Sequence, residues 1–380
     1  MSFNKGDRKR VKILVIGGTG PTGPAIVNGL VSRGHDVTIL HSGKHELDTL
    51  PDLSVVPHIH ANAFDEDSFK EAISGQEYDV VFAMYGRLRS ISKILEGRTD
   101  HLISIGGVPV YAGFSDPEQD VWPRGVRIPA REDSTLAGDE AAIKIRKICE
   151  TEETVFQYHP TATHLRYPYI YGPNQILPME WSLVRRALDG RKHLILADGG
   201  LSITTSAFAG NAAHSVLLCL DHADSSRGEI FNVGDDRQLD VYMTAQVVAE
   251  ELGHEWEILS FPHELARPGY PLLQHHSPSH RLSDTSKIRE QLNYRDLFDP
   301  VVSLRETVRW QKDNLVGNSD SIEKILQDPF DYRAEDELID LHRKFATSCQ
   351  GVRFDSEPGF GFGYYGPREN PAGARGSYRD

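Results

Sequence analysis

Apolar residues enter the first half of the chain in short unbroken blocks: ILVI at 13–16, VTIL at 37–40, VVFAM at 80–84 and LISI at 102–105. Blocks of this length suit parallel strands buried on both faces. The stretches between them carry apolar residues at helical spacing, as in Ile26, Val27 and Leu30. The pattern predicts strands over 13–16, 35–40, 55–60, 79–84, 101–105 and 161–167, and helices after residue 23, over 65–74 with Asp65 as N-cap, and over 139–157. Strands alternating with helices in this way fold as an α/β, Rossmann-type doubly wound parallel sheet.

Beyond residue 173 the pattern is more broken. It predicts helices over 180–188, 211–220, 243–252, 284–292 and 301–310. Strands are expected near 197–208, where glycines mark a turn, and over 228–234 and 255–260. The expected organisation is a lead-in at 1–10 and a nucleotide-binding domain over 11–173, to which 203–232 returns. A smaller C-terminal α/β substrate lobe takes 174–202 and 233–315, followed by a helical extension at 316–350 and a Gly-, Tyr- and Arg-rich tail at 351–380. The Pro- and Gly-rich excursion from 106 to 138 is expected to border the site or form a lid.

Composition narrows the partners. A net charge of −14 argues against a nucleic-acid partner, whose affinity rests on neutralising phosphates. Cys149, Cys219 and Cys349 have neither metal nor redox spacing, as expected in a reducing compartment. With no apolar run near the ~20 residues that span a bilayer and no signal-peptide core, a cytoplasmic protein without a membrane partner is expected.

The candidate chemistry lies in GGTGPTG at 17–23. Glycines at 17, 20 and 23 sit between a buried strand and a helix, where unpaired N–H groups and the helix dipole favour a diphosphate. A side chain at Gly17 or Gly20 obstructs the turn or the phosphates, and one at Gly23 pushes the helix off the sheet. Thr19, Pro21 and Thr22 belong to the same cofactor-binding turn. The end of the second strand contacts the ribose of a bound dinucleotide. There His41, Ser42 and Lys44 stand in place of an acidic residue, which favours NADP over NAD, with NAD still open. Asn62 and Ala63 fall where the adenine lies.

Together, VIGGTGPTG at 15–23, YDVVFAM at 78–84, LISIGGVPVYAG at 102–113, LRYPYIYGP at 165–173 and GEIFNVG at 228–234 resemble the extended short-chain dehydrogenase/reductase superfamily, the NAD(P)-dependent epimerase/dehydratase group. Within it the chain is most similar to the atypical branch that includes the chloroplast stem-loop-binding proteins. The resemblance implies that Ala83 and Met84 line the cofactor, that Pro168, Tyr169 and Ile170 approach the nicotinamide, and that the chain forms a homodimer.

The catalytic positions depart from the family pattern of a hydroxyl residue, a Tyr, and a Lys four residues later. Gly107 occupies the hydroxyl position, and no Tyr precedes a Lys by four on the following helix. Tyr111, Tyr169 and Glu140, with Lys144 in support, are the candidate proton-handling groups. The Glu140–Lys144 spacing also fits an ordinary surface ion pair. Three readings remain open: an NAD(P)-dependent oxidoreductase or epimerase on a small carbonyl or hydroxyl substrate, an isomerase or lyase using a tightly held NAD(P), and a nonenzymatic NADP(H) sensor. His275, His276 and His280 have only loose ligand spacing, so no metal is expected.

Overall fold

The computed structural model describes residues 10–43, 50, 55–84, 87–115, 122–273, 279–356 and 359. It divides into two units, residues 1–330 and 331–380.

In the first unit, β1 (Lys12–Ile16), α1 (Gly23–Ser32), β2 (Asp36–His41), β3 (His58–His60), α2 (Glu66–Ala72), β4 (Tyr78–Ala83), α3 (Leu88–Ile94), β5 (Thr99–Gly107), α4 (Ile143–Tyr158) and β6 (Thr163–Tyr167) succeed one another. They are followed by β7 (Tyr169–Tyr171), α5 (Trp181–Leu188), β8 (His193–Ala197), β9 (Ser206–Phe208), α6 (Ala209–Asp221), α7 (Ala223–Ser226), β10 (Ile230–Asn232), α8 (Val241–Leu252) and β11 (Glu257–Phe261). Helices α9 (Ser286–Leu292), α10 (Pro300–Leu315) and α11 (Asp320–Leu326) complete it, and α12 (Tyr332–Gln350) lies in the second unit.

Seven strands form one sheet in the order β10-β6-β5-β4-β1-β2-β3, and every pairing is parallel. This is the doubly wound arrangement that the apolar blocks predict. The order reverses at β1 and β4, so the crevice at their carboxyl ends is the natural ligand site of the fold. One core cluster joins Ile13, Val15 and Phe82 with α1 and α6 through Ile26, Leu30 and Val216. The other joins Leu14, Ile16 and Val81 with Phe69 of α2, Ile91 of α3 and Val155 of α4. Asp65 caps α2 as expected, its carboxylate accepting from Asp67 N and Ser68 N.

The remaining strands pair apart from this sheet, β8 with β11 and β7 with β9. A third core cluster, including Trp181, Leu196, Val248 and Leu304, packs α5, α8 and α10 around β8. Strand β7 serves both regions. Ile170 packs against the first core, whereas Tyr169 and Tyr171 belong to the third.

Three expectations change. Helix α4 begins at Ile143 rather than 139, because the preceding chain is held elsewhere: Ala137 N donates to Val110 O, and Leu136 bridges Tyr111 antiparallel. The strand expected from 55 shortens to 58–60, since Pro57 has no N–H to give to a ladder. The described part of the 106–138 excursion is pinned rather than free: Ala130 N donates to Leu282 O, Asp284 N donates to Ala130 O, and the buried Arg281 guanidinium donates to Phe114 O at 2.6 Å. Residues 1–9 and most of the tail lie outside the described residues.

Candidate nucleotide site and catalytic corner

The glycine turn is built as a cradle of main chain. Gly17 holds φ +82°, which suits glycine, and its N–H donates to Leu40 O at 2.9 Å, tying the turn to β2. A methyl group at Gly23 would lie 2.1 Å from Gly18 O, so glycine is needed there to seat α1 on the turn. Gly20 differs from both. A methyl group there meets only Gly17 O, at 3.9 Å, so the protein's own packing does not require glycine. The space in front of Gly20 is open, which fits a ligand pressed against bare main chain. Thr19, Gly20 and Pro21 are half-buried along this opening, while Thr22 is buried and its hydroxyl meets the Tyr167 phenol.

Around the turn the expected cofactor residues separate. Met84 leaves β4 directly beside Gly17, its Cβ 3.2 Å from where a Gly17 methyl would stand, so the two are brought together. Ala83, at the end of β4, is fully buried in the core, so only its main chain faces the crevice end of the strand. Ser42 is exposed at the exit of β2, and Lys44 lies outside the described residues. His41 is buried, accepts from Gly43 N at 3.2 Å and is hydrogen-bonded to His58 at 3.0 Å. Asn62 turns back on its own chain, its side-chain oxygen accepting from Phe64 N, with Ala63 half-buried beside it. Pro168 is buried and Ile170 half-buried, on the segment that leaves β6.

The catalytic corner is closed. Tyr111 is 1% exposed; its hydroxyl donates to Asn232 Oδ1 at 2.7 Å and accepts from Arg166 Nη1 at 2.9 Å. Burial pushes this phenol up to about 12. It is a sealed structural group, and its candidacy as a proton donor falls. Arg166 in turn makes two bonds to the buried Glu152 carboxylate, at 2.9 and 2.5 Å. His164 bonds Ser104 Oγ at 2.8 Å, lies 3.5 Å from Glu152, and is held neutral by burial, its pKa lowered to about 4. None of these buried partners is visible from motif spacing, because β5, β6, β10 and α4 contribute them from distant parts of the chain.

Glu140 is likewise corrected. It lies exposed in the turn before α4 and shares no helical face with Lys144. Lys144 opens instead onto a hollow of about 420 Å³ between α3 and α4, together with Arg87, Arg89, Lys93 and Lys147, above Gly106 and His164.

Tyr169 reaches a second cleft. With Glu180, Thr204, Arg237 and Leu272 it lines a pocket of about 90 Å³ between β7, α8 and α10. Its hydroxyl lies 3.0 and 3.2 Å from the Glu180 carboxylate oxygens and accepts from Gln175 Nε2 and Met179 N. Burial, and then the Glu180 charge, raise the phenol well above its ordinary value, and burial raises Glu180 too. The pair therefore favours neutral, hydrogen-bonded forms rather than the ammonium-lowered phenol of the family trio.

Sequence spacing also missed a cluster at the far edge of the sheet. His41, His58 and His60 each offer a ring nitrogen, all within 4.8 Å of one another. In the loop where a metal was considered, His275 and His276 lie outside the described residues, and His280 Nδ1 accepts from Ile203 N. Among the described residues, no helix is long and apolar enough to cross a membrane.

Comparison with known proteins matches residues 17–105 to a family model described as NAD(P)H-binding. The chain is 24% identical over 330 residues to UDP-N-acetyl-alpha-D-glucosaminuronate decarboxylase of Bacillus cytotoxicus, covering 79% of this chain and 97% of that protein. It is 26% identical over 314 residues to chloroplast stem-loop binding protein of 41 kDa b of Arabidopsis thaliana, covering 78% of each. Among solved structures, UDP-glucose 4-epimerase of Thermotoga maritima with UDP-glucose superposes with a TM-score of 0.62 at 18% identity, over 80% of this chain and 99% of that one. The Bordetella bronchiseptica enzyme WbmG, in complex with NAD and UDP, does so with a TM-score of 0.60 at 16% identity, over 80% and 95%.

Proposed function

From the NAD(P)H-binding match over residues 17–105 and the relatives it resembles, we propose that the chain is an extended short-chain dehydrogenase/reductase, an NAD(P)-dependent oxidoreductase or epimerase. Its substrate carries a hydroxyl or carbonyl group beside an anionic handle, as a nucleotide sugar does. The observation that carries this reading is the open space at Gly20, where packing alone leaves room for a side chain. The relative named as a decarboxylase of a UDP-linked sugar supports the substrate class. So do the cationic hollow beside Lys144 and the Arg237-bearing cleft.

A bound nicotinamide supplies hydride transfer. The chain's residues do the rest: Gly17, Gly20 and Met84 hold the diphosphate end, and Pro168 and Ile170 border the nicotinamide. Tyr169, its hydroxyl held by Glu180 and Leu177 O, walls the cleft that takes the substrate. The hydroxyl and cation at Ser42 and Lys44 make NADP the preferred form, and the chain acts as a homodimer. Titration of wild type and Gly20→Ala with NADP and NAD tests the reading. Wild type is expected to bind, with NADP tighter, and Gly20→Ala to bind at least about ten-fold more weakly, equivalent to about 1.4 kcal/mol, with unchanged thermal stability. Failure of wild type to bind either nucleotide overturns it.

A further inference from the structure

The three histidines at the edge of the sheet belong to no step of the proposed reaction. They come from two strands that sequence separates and pairing unites: β2 and β3 run parallel with His41 opposite His60. His58 and His60 are two residues apart on β3 and therefore share one face, the face His41 presents from the neighbouring strand. The ring centroids of His58 and His60 lie 5.0 and 4.9 Å from that of His41. His41 Nε2 and His58 Nδ1 are 3.0 Å apart. Two imidazole nitrogens bound to one tetrahedral zinc, with bonds of about 2.0–2.1 Å, stand about 3.3 Å apart. The present spacing needs little adjustment.

Backbone order supports the cluster. His41 is buried at the end of a paired strand, His58 is half-buried, and His60 is exposed, so the cluster runs from a fixed base to an open mouth. Gly43 N–H donates to His41 Nδ1 at 3.2 Å, which leaves the His41 proton on Nε2, aimed at His58.

We propose that His41, His58 and His60 form a binding site for one divalent transition cation of the zinc class, with the fourth coordination position open. Imidazole ligands suit Zn²⁺, Co²⁺ and Ni²⁺ and disfavour Mg²⁺ and Ca²⁺, which prefer oxygen. The site stands on strand geometry beside Ser42, where the ribose of a bound nucleotide is expected, so it is tested without nucleotide.

The test uses the full chain, free of any affinity tag and of nucleotide. Titration with Co²⁺ alone, followed by visible absorption, and with Zn²⁺ alone, followed by calorimetry, is expected to show one cation per chain with the intense cobalt bands of a tetrahedral site. His60→Asn, at an exposed position, and His58→Gln are each expected to weaken binding by about ten-fold or more. The melting temperature without metal should stay unchanged for His60→Asn, which separates loss of a ligand from loss of the fold. Absence of stoichiometric uptake by wild type overturns the site, and so does uptake that both variants leave unchanged.

Discussion

The glycine turn and the corner around Tyr111 both lie at the carboxyl ends of strands in one sheet, yet they are built on opposite principles. The turn is main chain with space left in front of it, at Gly20 above all. The corner is side chain with every charge answered internally: Tyr111 to Asn232, Arg166 to Glu152, and His164 to Ser104. The difference teaches where a ligand is accommodated. Open main chain costs the fold little and waits for a partner, whereas a satisfied buried network stabilises the protein and has no proton to offer.

The contrast breaks most visibly at its charged centre. Glu152→Gln leaves the Arg166 guanidinium buried without its counter-charge and is expected to cost about 3–5 kcal/mol in chemical denaturation. Gly23→Ala forces a methyl group onto Gly18 O and is expected to destabilise by about 3 kcal/mol, with nucleotide binding lost as α1 shifts. The corner also predicts a pH dependence. His164 is neutral when folded, with its pKa down to about 4 from 6.5, so the stability it contributes is complete above pH 6.5 and lost as pH falls toward 4. By pH 5 the loss is about 2 kcal/mol, and His164→Asn should flatten that part of the profile in urea melts at pH 7.5 and 5. Tyr111→Phe removes one buried hydroxyl and is expected to cost about 1–3 kcal/mol in stability while leaving NAD(P) affinity intact; a selective loss of turnover instead would return Tyr111 to the chemistry. The smallest effect on stability belongs to Gly20→Ala, within about 0.5 kcal/mol, although its effect on nucleotide binding is among the largest.

What sequence could reveal follows the reach of each interaction. The buried strands, the glycine turn and the Asp65 cap are local patterns, and the structure contains all three. The start of α4 was not local: Asp139 to Ala142 are compatible with helix, but a bridge between Leu136 and Tyr111 keeps the chain from winding until Ile143. Strands β7 and β8 are short, and their partners lie more than thirty residues away in β9 and β11. The sealing of Tyr111 depends on Arg166 and Asn232, 55 and 121 residues distant. The histidine cluster escaped for the same reason, since His41 and His58 are separated by 17 residues and meet only once β3 docks on β2.

Strand β7 is only three residues long, and its alternation makes it a shared wall. Ile170 looks into the nucleotide-binding core and its neighbours Tyr169 and Tyr171 into the other. One three-residue strand thus stitches two separate cores together, so a side chain changed on one side bears on the packing of the other.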